Sequence, residues 1–126
     1  MTSARLLDLG TRLAQALAGE GGRAALLRDL DRGEGLLLFD ALRRPLARTE
    51  SAERTPPTDL PAVDEPARLA DGSLALPLCV GQSRLGWLVA FGPKARRADE
   101  DALRLAATLL ALDLALRPRT RDRQLA

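Results

Sequence analysis

Few residues of this chain have side chains that could carry out chemistry. The 126 residues include no His, no Tyr and a single Cys. Without a His, neither a Ser–His nor a Cys–His nucleophile can be assembled. A lone Cys79 excludes an internal disulfide and a metal site built from several cysteines. We therefore predict no catalytic residue, no metal ligand and no cofactor.

Two charged clusters remain, and each has an ordinary structural explanation. The acidic run 99–101 could supply paired carboxylates for acid–base catalysis. It stands, however, where the last helix is predicted to begin, and carboxylates there interact favourably with the helix dipole. Arg43, Arg44 and Arg48 could bind an anion, but charges also protect an exposed strand edge. These clusters do not change the prediction that the chain is not an enzyme.

The distribution of charge argues against a nucleic-acid partner. The net charge is +2, and the segment RPRTRDR (117–123) holds four Arg and one Asp. That segment carries +3, so the rest of the chain carries −1. A basic patch interleaved with aromatic side chains would be a better signal of nucleic-acid binding, and aromatic residues make up 2% of this sequence. We expect a basic tail at 118–126 and no direct DNA binding.

Length and patterning predict one domain, over residues 1–117. A chain of 126 residues has the usual size of a single domain. The N-terminus lacks the pattern of a secretory signal, and Arg104 and Asp113 interrupt the longest apolar stretch, 103–116. One cysteine fits a reducing compartment. We expect a cytoplasmic protein with no membrane partner.

The order of periodic segments predicts an α+β fold with helices at both ends. Leucines at helical spacing indicate a first helix from Ser3 to about Ala18, and a shorter helix follows at 23–32. The runs 36–40 and 45–49 predict a hairpin, and Pro45 indicates that its second strand lies at a sheet edge. Residues 50–67, with four prolines, predict an irregular connection.

The stretch LALPLCVGQSRLGWLVAFG (74–92) predicts a second hairpin, central in the sheet. Neither of its alternating faces is polar, as expected for strands covered on both sides. We assign Ala75, Cys79 and Ala90 to one face of small residues. Such a face either packs against a helix, the commoner role, or forms the floor of a pocket. A candidate ligand pocket lies between this face and the segment 50–67, with Phe39 as a further contact.

The last helix carries two apolar stripes instead of one. Its first stripe predicts packing on the sheet, and the second needs cover from the first helix, a partner chain or both. We predict that the second stripe is a homodimer interface, in which both terminal helices pair with their symmetry mates. A monomer covered by the first helix alone is the alternative. The first stripe consists of Leu103, Ala106, Ala107, Leu110 and Leu114, and the second of Leu105, Leu109, Leu112 and Leu116.

Three stretches of this chain resemble the GAF domain, most nearly the sensor region of purine-catabolism and sugar-diacid transcription regulators. They are GLLLFDALRRPLA (35–47), LALPLCVGQSRLGWLVAFG (74–92) and ALRLAATLLALDLA (102–115). The resemblance implies an antiparallel sheet of about five strands, with the N- and C-terminal helices packed on one face. It also implies a non-enzymatic sensory or regulatory module that dimerises, linked to transcriptional regulation, with a small molecule as its effector.

The chain departs from that family at two places. Arg43 stands in the first hairpin turn, where the family usually has a glycine. The segment that covers the ligand in the family is reduced to residues 50–67. A second hypothesis is a ligand-free scaffold or protein-interaction domain of the roadblock or profilin kind, although a helix would be expected there in place of the proline-rich stretch.

Overall fold

Helices enclose one side of an antiparallel sheet in this protein. The structure, a computed structural model, describes residues 3–19, 22–31, 35–50, 52, 56–58, 60, 65–70, 72–91 and 97–116. The basic tail 118–126 and its predicted boundary lie outside these residues. The elements are α1 (Ser3–Ala18), α2 (Gly22–Leu30), β1 (Leu36–Asp40), β2 (Pro45–Arg48), β3 (Ala67–Arg68), β4 (Leu74–Val80), β5 (Ser83–Ala90) and α3 (Arg97–Leu116).

The five strands form a single sheet in the order β2-β1-β5-β4-β3, and every neighbouring pair is antiparallel. The predicted α+β class, with five strands and helices at both ends, is confirmed. β5 lies at the centre of the sheet, as expected for the apolar hairpin. Pro45 begins β2 at one edge, where the missing N–H of proline removes no ladder hydrogen bond.

Both faces of the sheet are buried, each against a different layer. On the first face, leucines of β1, β4 and β5 pack with α1, α2 and α3, including Leu13 and Leu17 of α1. On the second face, Ala52 and Leu60 of the irregular segment pack over the strands. The strand residues of this second cluster are Leu37, Phe39, Ala75, Trp87 and Val89, and Phe91 joins them from the position after β5.

The prediction that Ala75 and Ala90 lie on one face of small residues is wrong, because the hairpin contains a bulge. Next to the turn, Val80 pairs with Ser83 and Cys79 pairs with Arg84. The next pair is Leu78 with Gly86, so Leu85 has no partner in the ladder and the register shifts by one residue. Ala75 consequently pairs with Val89, on the side of the irregular segment, while Ala90 pairs with Leu74 on the helix side. A shift of one residue exchanges the faces of a strand. Each face therefore combines bulky residues of one strand with smaller residues of the other.

Gly86 is required by the close approach of β1 and β5. A Cβ built on Gly86 would overlap the carbonyl oxygen of Phe39 and contact the Cα of Asp40. The backbone of Gly86 is not in the left-handed region, so space rather than conformation requires glycine here. Gly81, by contrast, has φ +62° at the first position of the two-residue turn and open space around it.

The first hairpin turn is held by the carboxylate of Asp40. Its Oδ1 accepts hydrogen bonds from the backbone N–H groups of Leu42 and Arg44, at 3.0 and 2.9 Å. Arg44 Nε donates to Oδ2 at 2.8 Å. Arg43 occupies the left-handed region, with φ +66°, which glycine adopts at lower cost. Its guanidinium donates to the carbonyl of Pro56 at 3.0 Å, and this bond ties the turn to the irregular segment.

None of the helices in the described ranges combines the length and the uninterrupted apolar character needed to cross a bilayer.

Candidate functional site

The outer face of α3 is the part of the described surface where apolar side chains collect. The predicted inner stripe is buried throughout, from Leu103 to Leu114. The predicted outer stripe is covered in one half only. Leu105 and Leu109 are half-buried beside α1, whereas Leu112 and Leu116 are 47% and 77% exposed. The first helix therefore covers part of the stripe and leaves the C-terminal part open.

An apolar groove of about 750 Å³ runs between α1 and α3. Leu105 and Leu109 line its α3 side, with Asp101 and Arg104 at the border. Gly10 brings the two helices together, since a Cβ on Gly10 would lie 3.3 Å from a methyl carbon of Leu105. The α1 side of the groove is lined by Leu7, Gly10, Thr11 and Ala14.

Leu112 and Leu116 continue the line of Leu105 and Leu109 beyond the groove. The four residues follow spacings of four, three and four, which keeps them within one narrow arc of the helix. Alternating spacings of three and four are those of the contact seam between paired helices. We call the groove, together with the exposed Leu112 and Leu116, the α1–α3 face. The sequence indicated its α3 half directly, as the second stripe, and its α1 half only as cover that the first helix could supply.

The charged residues that line the groove are of both signs, Asp101 and Arg104. Arg104 is paired within the chain, with Glu100 at 3.5 Å, one turn earlier on α3. An anion or a nucleic acid would require an excess of basic groups. The border of this face offers none among the described residues.

A smaller cavity of about 190 Å³ lies on the other flank of α3, against β4. Cys79 and Pro77 line it from the strand, Pro66 from the irregular segment, and Arg104 and Thr108 from the helix. The thiol of Cys79 is half-buried. Among the candidate ligand contacts predicted from the sequence, Cys79 is the one that lines this cavity.

The other candidate pocket residues are divided between the two cores. Phe39 and Ala75 belong to the cluster on the segment side, where Ala52, Leu60 and Leu69 fill the space above the sheet. Ala90 belongs to the cluster under the helices. Ala52 and Leu60 of the irregular segment thus belong to the same core cluster as Ala75 and Phe39.

The arginines of the first hairpin use their donors within the chain. Arg43 donates to the carbonyl of Pro56, and Arg44 pairs with Asp40. Arg48 donates to the carbonyl oxygens of Thr49 and Ala52, each at 3.4 Å. The bonds from Arg43 to Pro56 and from Arg48 to Ala52 connect the edge of the sheet to the irregular segment. No group of three potential metal-ligating side chains occurs in the described part of the chain.

No protein-family model matches this sequence, and no curated protein sequence is significantly similar to it. The resemblance to the GAF domain therefore rests on the three stretches 35–47, 74–92 and 102–115 alone. The α1–α3 face and the cavity beside Cys79 are the two features from which a function can be argued.

Proposed function

We propose that this chain is a non-enzymatic regulatory module that works as a homodimer, joined through the α1–α3 face. The observation that carries the proposal is the exposure of Leu112 and Leu116, at 47% and 77%, in line with the half-buried Leu105 and Leu109. Contiguous exposed apolar surface of this kind marks interaction sites in proteins that are otherwise well packed.

The size of the apolar contribution supports association. Full burial of a leucine side chain stabilises by about 1.5–3 kcal/mol. Each residue occurs once in each copy, so Leu112 and Leu116 contribute four side chains in a dimer, each in proportion to its exposed fraction of 47% or 77%. Leu7 of α1, which is also exposed at the edge of the groove, adds two more. That contribution opposes the entropic cost of association, of about 4–15 kcal/mol.

The GAF resemblance supplies the biological context of the proposal. In that context the dimer is a sensory or regulatory domain in the cytoplasm, linked to transcriptional regulation and without DNA contacts of its own. A single cysteine and a charge of −1 outside the segment 117–123 support this context. The alternative hypothesis, a ligand-free scaffold of the roadblock or profilin kind, also includes a homodimer but no small-molecule effector.

The test is a pair of charge substitutions with a matched control. The variant Leu112→Glu/Leu116→Glu is expected to remain folded, because both side chains are substantially exposed, and to sediment as a monomer. Leu42→Glu is the control, since Leu42 is 72% exposed in the first hairpin turn, away from the α1–α3 face. A double variant that sediments like the unmodified protein would show that the α1–α3 face is not the dimer interface.

Binding of a small molecule is the second candidate function, favoured by the cavity between β4 and α3. Its volume of about 190 Å³ suits a compact ligand, and Arg104, Thr108 and Cys79 supply polar groups among apolar walls. Native mass spectrometry of freshly purified protein tests this candidate. A co-purified mass that Thr108→Trp displaces would support it, because Thr108 lines the cavity and is exposed, so that the core is left unchanged. A spectrum of the bare chain would favour the scaffold.

A further inference from the structure

The α1–α3 face carries two complementary shapes side by side. The groove is a depression whose α3 wall is formed by the half-buried Leu105 and Leu109. One to two turns further along the same line, Leu112 and Leu116 project as a ridge. From the first of these leucines to the last, the stripe is about 16 Å long at 1.5 Å per residue.

We propose that the two copies pair with their α3 helices antiparallel, so that the ridge of each copy fills the groove of the other. This inference rests on the proposed homodimer and specifies its geometry. Leu116 of one copy meets Leu105 of the second, and Leu112 meets Leu109. One two-fold axis, perpendicular to the helices, generates both contacts twice.

Packing selects this arrangement over the parallel one. A two-fold axis along the helices would place ridge against ridge and groove against groove. The groove of about 750 Å³ would then stay unfilled in both copies. Protein interiors and the centres of stable interfaces are close-packed, and unfilled space forfeits dispersion contacts. The antiparallel arrangement places the exposed leucines where that space exists.

The α1 wall of the groove is shaped to admit a partner helix. Gly10 accommodates Leu105 of the same chain, and the exposed Ala14 presents only a methyl group beside it. Distances between packed helices depend on the size of the side chains at the contact. The small side chain of Ala14 therefore allows the ridge of a second copy to approach the groove closely.

The charges at the border point to a second copy rather than to a nucleic acid or an anionic membrane. Asp101 and Arg104, both exposed on α3, are the charged residues that line the groove. One acidic and one basic group give this border no net charge, so it does not repel a copy of itself. Nucleic acids and anionic lipids attract surfaces with a basic excess.

Disulfide cross-linking tests the orientation, in a chain whose native thiol is removed by Cys79→Ser. The double variant Leu105→Cys/Leu116→Cys should form a covalent dimer under oxidation, while each single variant should stay unlinked. The two positions are about 16 Å apart along one helix, too far for a bond within one chain. Self-linking of the Leu116→Cys variant would indicate parallel helices and overturn the inference. A dimer that links in none of the variants would overturn it as well.

A second measurement tests whether the groove is occupied, without touching the ridge. Ala14→Trp fills the groove from the exposed side of α1 and should raise the dimer dissociation constant at least tenfold. Gln15→Trp, the next exposed position on α1, is the control and should change it less than threefold. Equal effects of the two variants would contradict the inference. If the unmodified chain is a monomer, the proposed function itself fails, which is a separate outcome.

Discussion

Arg23 of α2 and Asp113 of α3 form an ion pair in which the Nε and Oδ2 atoms lie 2.7 Å apart. Asp113 is buried and Arg23 is half-buried, so the pair lies between α2 and α3, largely shielded from water. The two residues are separated by 90 positions in the sequence. Because Asp113 directly follows the exposed Leu112, the pair helps to hold α3 in the rotation that leaves Leu112 exposed.

Removal of the arginine should therefore destabilise the fold strongly. Arg23→Ala leaves a buried carboxylate without this cation, and loss of one partner of a buried pair costs about 3–5 kcal/mol. Partial exposure of Arg23 places the expected value near the lower end of that range. Urea denaturation followed by circular dichroism gives the free energy of unfolding.

The matched control is the exposed pair between Arg12 and Asp29, which also joins two helices. Exposed pairs contribute about 0–1 kcal/mol because water screens them. Arg12→Ala should accordingly change stability by less than about 1 kcal/mol. Equal losses for the Arg23 and Arg12 variants would show that the Arg23–Asp113 pair does not anchor α3.

Two glycines of the second hairpin should respond differently to substitution. Gly86→Ala forces a methyl group onto the Phe39 carbonyl, and overpacking of this kind costs about 1–3 kcal/mol or more. Gly81 has open space around it but a positive φ. Gly81→Asn should be tolerated better than Gly81→Ala, because Asn adopts the left-handed region more readily. Thermal melts of the three variants distinguish a steric cause from a conformational one.

Arg43 should show the cost of a left-handed conformation in a residue other than glycine. Arg43→Gly and Arg43→Ala both lose the hydrogen bond to Pro56. Only the glycine variant relieves the strain of φ +66°. We expect the glycine variant to be more stable than the alanine variant by about 1 kcal/mol. Equal stability of the two would mean that the turn relaxes on substitution.

The helices and the places of the central and one edge strand follow from local patterns that the sequence displays. Leucine spacing and a capping serine predict α1 with the bounds observed, Ser3–Ala18. Alternation and proline placement predict the central and edge strands. The inner stripe of α3 is buried as expected, since one side of a helix that rests on a sheet must be apolar.

The faces of the second hairpin could not be assigned because they depend on one unpaired residue. With regular pairing from the Gly81–Gln82 turn, Ala75 would face the same side as Ala90. The bulge at Leu78 places Leu85 out of register and exchanges the faces. Gly86 was the available signal, because a glycine within a strand often accompanies a bulge.

The outer stripe could be predicted as a line of leucines, but not its division into groove and ridge. That division depends on how far α1 extends along α3 and on the close approach at Gly10. Such tertiary distances have no counterpart in the periodicity of either helix.

Sedimentation equilibrium of the unmodified chain, over a range of concentrations, tests the central claim most directly. The chain has a mass of 13.5 kDa. The account predicts that the apparent mass rises with concentration and reaches a plateau at twice that value, with a monomer–dimer fit. An apparent mass that stays at the monomer value up to millimolar concentration would contradict it.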